Sequence, residues 1–125
     1  MASEVTTKSR GDEAERRALA YLQAQGLALV ERNYRVARGP RARGAEVDLI
    51  MRDRDGTLVF VEVRVRADAS HGGAAATVSR SKQRKCILGA QYYLMNLREW
   101  PPCRFDVVAI DGEHIEWLRA AFDAS

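Results

Sequence analysis

The sequence has little cysteine, no long apolar run and no recognisable targeting segment. Its two cysteines, Cys86 and Cys103, lie outside any CxxC or Cys/His spacing, which argues against a zinc site or a disulfide framework. No apolar stretch approaches the roughly 20 residues that span a bilayer. Residues 1–10 are polar and lack the apolar core of a signal peptide. We therefore expect reduced thiols in a cytoplasmic protein.

The bulk composition is that of an ordinary globular protein. Hydrophobic residues make up 46% of the 125 positions and charged residues 30%, which favours one folded domain with one core. The sequence contains no internal repeat and no heptad pattern. It predicts a flexible N-terminus over residues 1–10, a single domain over 11–122 and a tail over 123–125.

The most informative stretch runs from Glu46 to Arg66. Two runs rich in Val, Leu and Ile flank a short polar break that contains Gly56. This pattern is typical of two strands joined by a three-residue loop in which glycine supplies a positive φ. If Asp53 faces Thr57 across that loop, the numbers of paired residues sum to about 110, as antiparallel pairing requires.

That register brings two acids together. Asp48 then lies opposite Glu62, and Glu46 lies opposite Arg64. Directly opposed Cβ atoms are roughly 4.5–5.5 Å apart, so the two carboxylates repel each other unless a cation lies between them. Mg²⁺ binds one or two carboxylates together with water and phosphate oxygens. The register therefore predicts a site for Mg²⁺ or Mn²⁺ at Asp48 and Glu62.

The alternation of side chains supports a site at one end of the hairpin. The odd positions form one apolar face, made of Val47, Leu49, Met51, Val59, Val61, Val63 and Val65. The even positions are apolar near the turn, at Ile50, Leu58 and Phe60, and charged at the far end, at Glu46, Asp48, Glu62, Arg64 and Arg66. Both faces should be covered near the turn, while one face opens into a charged site. A loop of two or four residues would put the two acids on opposite faces and remove the site.

Basic residues crowd the segments on either side of the hairpin. They are Arg35, Arg38, Arg41 and Arg43 before it, and Arg80, Lys82, Arg84 and Lys85 after it. A site that binds a phosphodiester with a metal ion needs cations to contact the phosphate backbone and carboxylates to hold the metal. The basic residues beside the acids of the hairpin suit such a site. The residues that we expect to contact nucleic acid are Arg41, Arg43, Arg66, Arg80, Lys82 and Lys85. A solvated basic surface without a ligand stays open as the alternative.

The remaining patterns predict two helices and three further strands. The first helix runs from near Gly11 to about Gln25, with Gly26 as its stop, and a strand over 27–36 leads to the hairpin. The second helix runs from a cap at Ser79 or Ser81 to about Leu97. A strand over 103–111 and a short strand over 114–118 follow, and the chain closes in a helical turn or tail. The crossover through the second helix predicts a parallel strand pair. The order α-β-β-β-α-β-β therefore predicts an α/β fold with a mixed sheet flanked by helices on both faces.

Glu15 interrupts the apolar stripe of the first helix. It shares that stripe with Ala18, Leu19 and Leu22, at offsets of three, four and seven residues. A carboxylate in this position either reaches into a site or pairs with a nearby arginine at the core boundary.

Several blocks of the sequence resemble one family. The runs GAEVDLI, VFVEVRVR and CRFDVVAI, with the helical segments GDEAERRALAYLQAQG and SRSKQ, are similar to the YraN-like family of uncharacterised bacterial proteins, over about Gly11 to Phe122. The resemblance implies a restriction-endonuclease-like fold, close to that of Holliday-junction resolvases, and nucleic-acid binding, with DNA as the expected ligand. Because such resolvases work as dimers, it also implies a homodimer.

Nucleases of that fold carry a motif written PD-(D/E)XK. By position, the resemblance implies Asp48 and Glu62 as its two acids and Glu15 as an additional acid from the first helix. Arg64 stands where the motif has lysine, and arginine is always protonated, so it is expected to stabilise charge on a phosphate. Lys82 is our candidate to replace the motif lysine from another element. The catalytic set is then Asp48, Glu62, Arg64 and Lys82, with Asp48, Glu62 and Glu15 as metal ligands.

Three functions are compatible with these features. The first is a metal-dependent endonuclease that acts on structured DNA, and the second is a nucleic-acid-binding module that keeps the fold without cleavage. The third is a protein-interaction module that uses the apolar residues from Trp117 to Phe122, unless those side chains close the core. A network of surface ion pairs among Glu46, Asp48, Glu62 and Arg64 would also explain the charges without a site.

Overall fold

The computed structural model describes residues 7–37, 44–65 and 78–124. Over these ranges the elements are α1 (Thr7–Ala24), β1 (Ala28–Val36), β2 (Ala45–Arg52), β3 (Leu58–Val65), α2 (Arg80–Leu94), β4 (Cys103–Asp111) and β5 (His114–Phe122). The predicted order α-β-β-β-α-β-β is confirmed. No helix within these ranges is long and apolar enough to cross a membrane.

The strands form one mixed sheet in the order β1-β2-β3-β4-β5. Neighbouring strands are antiparallel except β3 and β4, which are parallel and are joined through α2, as the crossover predicted. Side chains of α1 pack on one face of the sheet and side chains of α2 on the other. The mixed sheet with a helix on each face is therefore confirmed.

The hairpin of β2 and β3 has the predicted register. Met51 pairs with Val59, and the Asp53 amide donates to the Thr57 carbonyl over 2.9 Å. Gly56 has a φ of +90°, a conformation that a glycine adopts without steric cost. The loop therefore has the length on which the position of the two acids depends.

The predicted alternation fails at one position. Val47 packs with the α2 cluster rather than with Leu49 and Met51, which face α1. A methyl carbon placed on Gly89 of α2 would lie 2.8 Å from Cγ2 of Val47. The absence of a side chain at Gly89 lets α2 approach β2 closely beside the next residue, Asp48.

Two predicted boundaries are wrong. The first helix begins at Thr7 rather than near Gly11, because glycine lowers helix propensity without preventing helix formation. The last strand extends to Phe122 instead of ending at Leu118 in a helical turn or tail. Ala120, with a φ of +49°, forms a bulge whose amide donates to the Asp106 carboxylate over 2.9 Å, so pairing with β4 resumes beyond it.

We predict that Gly89→Ala destabilises the protein by about 1–2 kcal/mol. The added methyl overpacks the contact with Val47, at a typical cost of about 1–3 kcal/mol, and the gain of up to about 1 kcal/mol in helix propensity offsets only part of it. The free energy of unfolding from denaturant titration measures the change. Gly11→Ala is the matched control, because nothing lies within 4 Å of the added carbon, and it should be neutral or stabilising.

A double-mutant cycle tests the cause of that cost. In a Val47→Ala background, Gly89→Ala should cost at least about 1 kcal/mol less than in the wild type, because the clashing methyl group is gone. Equal costs in both backgrounds would show that the close approach of α2 to β2 is not limited by Val47.

Candidate functional site

The hairpin opens at the end away from its turn. The backbone pairing of β2 with β3 ends at Leu49 and Val61, one step before the two acids. At that step the Val63 amide donates to Oδ2 of Asp48 over 2.8 Å, so a side-chain oxygen takes the place of a backbone carbonyl. The strands separate there without leaving that half-buried amide unpaired.

The predicted pairing of Glu46 with Arg64 is wrong, because the two strands have already separated. Glu46 instead lies opposite Arg35 of β1, and an oxygen of its carboxylate is 3.6 Å from the Arg35 guanidinium. Its carboxylate also acts on the neighbouring acid, since its charge contributes to raising the pKa of Asp48.

Asp48 and Glu62 form a buried acid pair. Their exposed fractions are 8% and 7%, and each carboxyl group shifts the pKa of the other. Such burial disagrees with a network of surface ion pairs. Burial raises the pKa of Asp48, against the lowering effect of the Val63 amide. Burial and the charge of Asp48 raise the pKa of Glu62 to about 8.

Glu15 reaches the same place from α1. Its apolar neighbours Ala14 and Ala18 are buried against the sheet, which holds this face of the helix over the open end of the hairpin. Burial and the charge of Asp48 raise the pKa of Glu15 to about 7. One of its oxygens, Oε2, is buried without a hydrogen-bond partner.

The structure adds a residue that the sequence patterns did not reveal. Asn33 has a φ of +52° in the middle of β1, and its side chain lowers the pKa of Glu15, against the larger effect of burial. Asparagine tolerates the left-handed region better than most residues, and an asparagine in the middle of a strand was the only available signal. The irregularity in β1 thus positions the acid from α1.

The amino-terminal half of α2 supplies the positive charge. Ser79 caps the helix, and its hydroxyl accepts from the Lys82 amide. The positive charges of Lys82 and Arg64 lower the pKa of Glu62, in opposition to the larger effect of burial. The carboxylates and lysines open into a cavity of about 260 Å³, here called the acid cavity, lined by Gly11, Ala14, Glu15, Glu46, Asp48, Glu62, Val63, Val65, Lys82 and Lys85.

The other predicted site residues lie elsewhere. Arg64 follows Glu62 on β3 but does not line the acid cavity, and its Nε is buried without a hydrogen-bond partner. Arg80 lines a separate groove on the other side of α2. Arg41, Arg43 and Arg66 lie outside the described residues.

The residues of the acid cavity match a metal site with few protein ligands. Within residues 7–37, 44–65 and 78–124, no group of three or more histidine, cysteine or acidic side chains is placed to hold a metal ion, so the described positions do not assemble Asp48, Glu62 and Glu15 into a three-acid site. Two buried carboxyl groups that line an open cavity fit Mg²⁺, which keeps several waters and uses one or two carboxylates.

Both cysteines are free. Cys86 is fully buried on the inner face of α2. Burial raises the pKa of its thiol, and the charges of Glu62 and Asp48 act in the same direction. The thiol packs in the apolar cluster between α2 and the sheet and does not line the acid cavity. Cys103, at the start of β4, is exposed.

The features above define a mixed α/β domain with an acid cavity where one hairpin opens. A model of Uncharacterised protein family UPF0102 matches residues 14–110. A UPF0102 protein of Methylibium petroleiphilum is 71% identical over 121 residues, which cover 97% of this chain and 99% of that protein. A UPF0102 protein of Albidiferax ferrireducens is 60% identical over 119 residues, which cover 95% of this chain and 91% of that protein.

The chain therefore belongs to family UPF0102, which is the YraN-like family. The resemblance seen in the sequence is confirmed at the level of the family. Among solved structures, the crystal structure of SSO0001 matches with a TM-score of 0.47 and 14% identity, over 93% of this chain and 52% of that one. A likeness of that size carries no argument about fold or function.

We predict that Glu62→Gln stabilises the metal-free protein at alkaline pH. The pKa of Glu62 rises from 4.5 to about 8 on folding, so the folded protein keeps a proton that the unfolded chain releases. Stability is then lost as the pH rises through this window and levels off above it. Glutamine does not ionise, so the variant should gain on the order of 2–4 kcal/mol over the wild type above pH 8 and little at pH 4.5.

Denaturant titration with a chelator present, repeated across that pH window, measures this difference. Glu113→Gln removes an exposed carboxylate from the turn between β4 and β5 and serves as the control, because an exposed side chain there should not produce such a slope. If Glu62→Gln is less stable than the wild type throughout the window, the carboxylate is held in its charged form and its pKa is not raised on folding.

Proposed function

We propose that this protein binds nucleic acid and hydrolyses phosphodiester bonds in structured DNA with a divalent metal ion held at Asp48 and Glu62. The observation that carries the proposal is the burial of these two carboxyl groups at the open end of the hairpin, beside Lys82. The restriction-endonuclease-like fold is part of the same proposal. The predicted cytoplasmic location and the homodimer remain predictions.

The energetics of the acid pair favour a bound cation. Charged groups in an apolar interior cost several kcal/mol unless they are paired or coordinate a metal. Asp48 receives one backbone hydrogen bond, and neither acid forms an ion pair with any residue that the structure describes. A divalent cation would offset the repulsion between the two carboxylates.

The residues around the acid pair have distinct parts in this chemistry. Asp48 and Glu62 would hold Mg²⁺ or Mn²⁺, and Glu15 supplies a further carboxylate in the same cavity. Such an ion, when bound, polarises a phosphate and lowers the pKa of a water molecule. Lys82 brings a positive charge from α2 to the cavity, where it stabilises the negative charge that develops on a phosphate.

Binding without cleavage is the second candidate. The observation that favours it is Arg64, which occupies the position where the resembled motif has lysine and which cannot exchange a proton near neutral pH. Under this alternative the acid cavity would be a binding site only, and Lys82 would contact phosphate without taking part in hydrolysis.

The protein-interaction hypothesis loses its main support. Trp117 packs against the α1 cluster and donates from Nε1 to Asp106 over 2.9 Å. The ring of Phe122 stacks on that of Phe105 with centroids 5.1 Å apart. Both side chains therefore close the core instead of offering an apolar surface to a partner.

We predict that Asp48→Asn abolishes the response to metal. With Mg²⁺ or Mn²⁺ at about 100 times its dissociation constant, the melting temperature of the wild type should rise by about 8–12 °C, since such binding contributes about 2.7 kcal/mol. Asparagine is nearly the same size and can still accept from the Val63 amide, so the fold should persist. The variant should show no metal-dependent shift, and Glu113→Gln should respond as the wild type does.

Cleavage of branched and linear DNA by the same proteins separates the two candidates. For an endonuclease, Asp48→Asn should lower turnover by about 100-fold or more, because even residues that only support a metal ligand cost about 10–100-fold. Wild-type binding to DNA with no product would establish the non-catalytic candidate. Equal cleavage by the wild type and Asp48→Asn would place the activity outside the acid cavity.

A further inference from the structure

The amino-terminal half of α2 carries four cations on two sides. At about 100° per residue, Arg80 and Arg84 are about 40° apart on one flank, and Lys82 and Lys85 are about 60° apart on the other. The midpoints of these two pairs are about 150° apart around the helix axis. All four side chains are exposed, and the short, exposed Ser81 lies between the pairs.

Each pair faces a different recess. Lys82 and Lys85 line the acid cavity. Arg80 and Arg84 line a separate groove of about 580 Å³ that extends along α2 to the end of β5. Neither arginine forms an ion pair with any residue in the described part of the chain. The acid pair therefore accounts for the lysines but leaves the arginines without a function.

The separation of the two pairs fits the two backbones of a DNA duplex. An α-helix with its side chains is about 10–12 Å across, and the major groove of B-form DNA is about 12 Å wide and admits one helix. The two walls of that groove are the phosphate backbones of different strands. Cations on opposite flanks of one helix therefore meet different strands.

We infer that the amino-terminal half of α2 lies in a groove of duplex DNA. Lys82 and Lys85 contact the strand that passes the acid cavity, and Arg80 and Arg84 contact the backbone of the complementary strand. The inference rests on the nucleic-acid binding proposed above and adds that the bound region is double-stranded. Duplex RNA fits poorly, because its A-form major groove is deep and narrow.

Salt-dependent binding of two double variants tests this arrangement. Three proteins are compared: the wild type, Arg80→Gln/Arg84→Gln and Lys82→Gln/Lys85→Gln. Each is titrated against a short labelled DNA duplex, one of its single strands and the matching RNA duplex. A chelator is present to prevent cleavage. Fluorescence anisotropy at several salt concentrations gives the slope of log K against log salt. The magnitude of this slope decreases by about 0.9 for each lost contact with a duplex phosphate.

The expected result is a difference between the two flanks. On the DNA duplex, the loss of two phosphate contacts in the arginine variant should reduce the magnitude of the slope by about 1.8. On the single strand, the slope of this variant should equal that of the wild type. The lysine variant should lose slope on both DNA ligands. The RNA duplex should bind more weakly than the DNA duplex and should not respond to the loss of the arginines.

Two controls separate contact from altered folding or altered net charge. Arg80→Lys/Arg84→Lys keeps both charges and should restore the duplex slope. Arg16→Gln/Arg98→Gln removes the same charge at exposed positions away from this half of α2 and should leave the duplex slope close to that of the wild type.

The outcomes distinguish this inference from the proposed function. Suppose that the wild type binds DNA but that the slope of the arginine variant decreases equally on the duplex and on the single strand, or on neither. The two-backbone arrangement is then wrong, and nucleic-acid binding stands. If the wild type binds none of the three nucleic acids, the proposed function fails and this inference fails with it.

Discussion

One hydrogen bond, from the Val63 amide to the Asp48 carboxylate, creates the space in which the site lies. Up to Leu49 and Val61 the two strands pair through their backbones. At the next step a side-chain oxygen accepts the amide hydrogen over 2.8 Å. The strands can therefore separate while this half-buried donor stays satisfied, and the separation makes room for two carboxyl groups and the acid cavity.

The opposite end of the hairpin keeps those carboxyl groups on one face. Arg104 of β4 donates to Asp53 beside the turn over 2.8 Å and also to the buried Asp106. Asp106 accepts in addition from Trp117 and from the amide of Ala120, so the turn is tied to both β4 and β5. A slip of one residue would exchange the two faces of a strand, and this network opposes such a slip.

Much of this arrangement could be predicted from local patterns, because loop length and alternation determine a hairpin register. The three-residue loop was enough to predict that Asp48 and Glu62 meet. The helical stripe singled out Glu15 but left open whether it reaches a site or pairs with an arginine at the core boundary. The patterns failed where the backbone departs from regular geometry. Val47 turns toward α2 because regular pairing of β2 with β3 ends beside it, and Asn33 and Ala120 adopt positive φ values that no periodicity reveals.

Two kinds of buried acid in this fold can be told apart by their partners. Asp106, with 0% exposure, accepts from a guanidinium, an indole and a backbone amide, so its charge is satisfied by the fold itself. Asp48 and Glu62 are almost as buried, but between them they receive one backbone amide, and burial raises the pKa of both. A fold that needed only stability would gain from apolar side chains at these positions. Their presence beside Lys82, at the point where the sheet opens, therefore argues for a ligand that carries positive charge, and the lysine argues for a second ligand that carries negative charge.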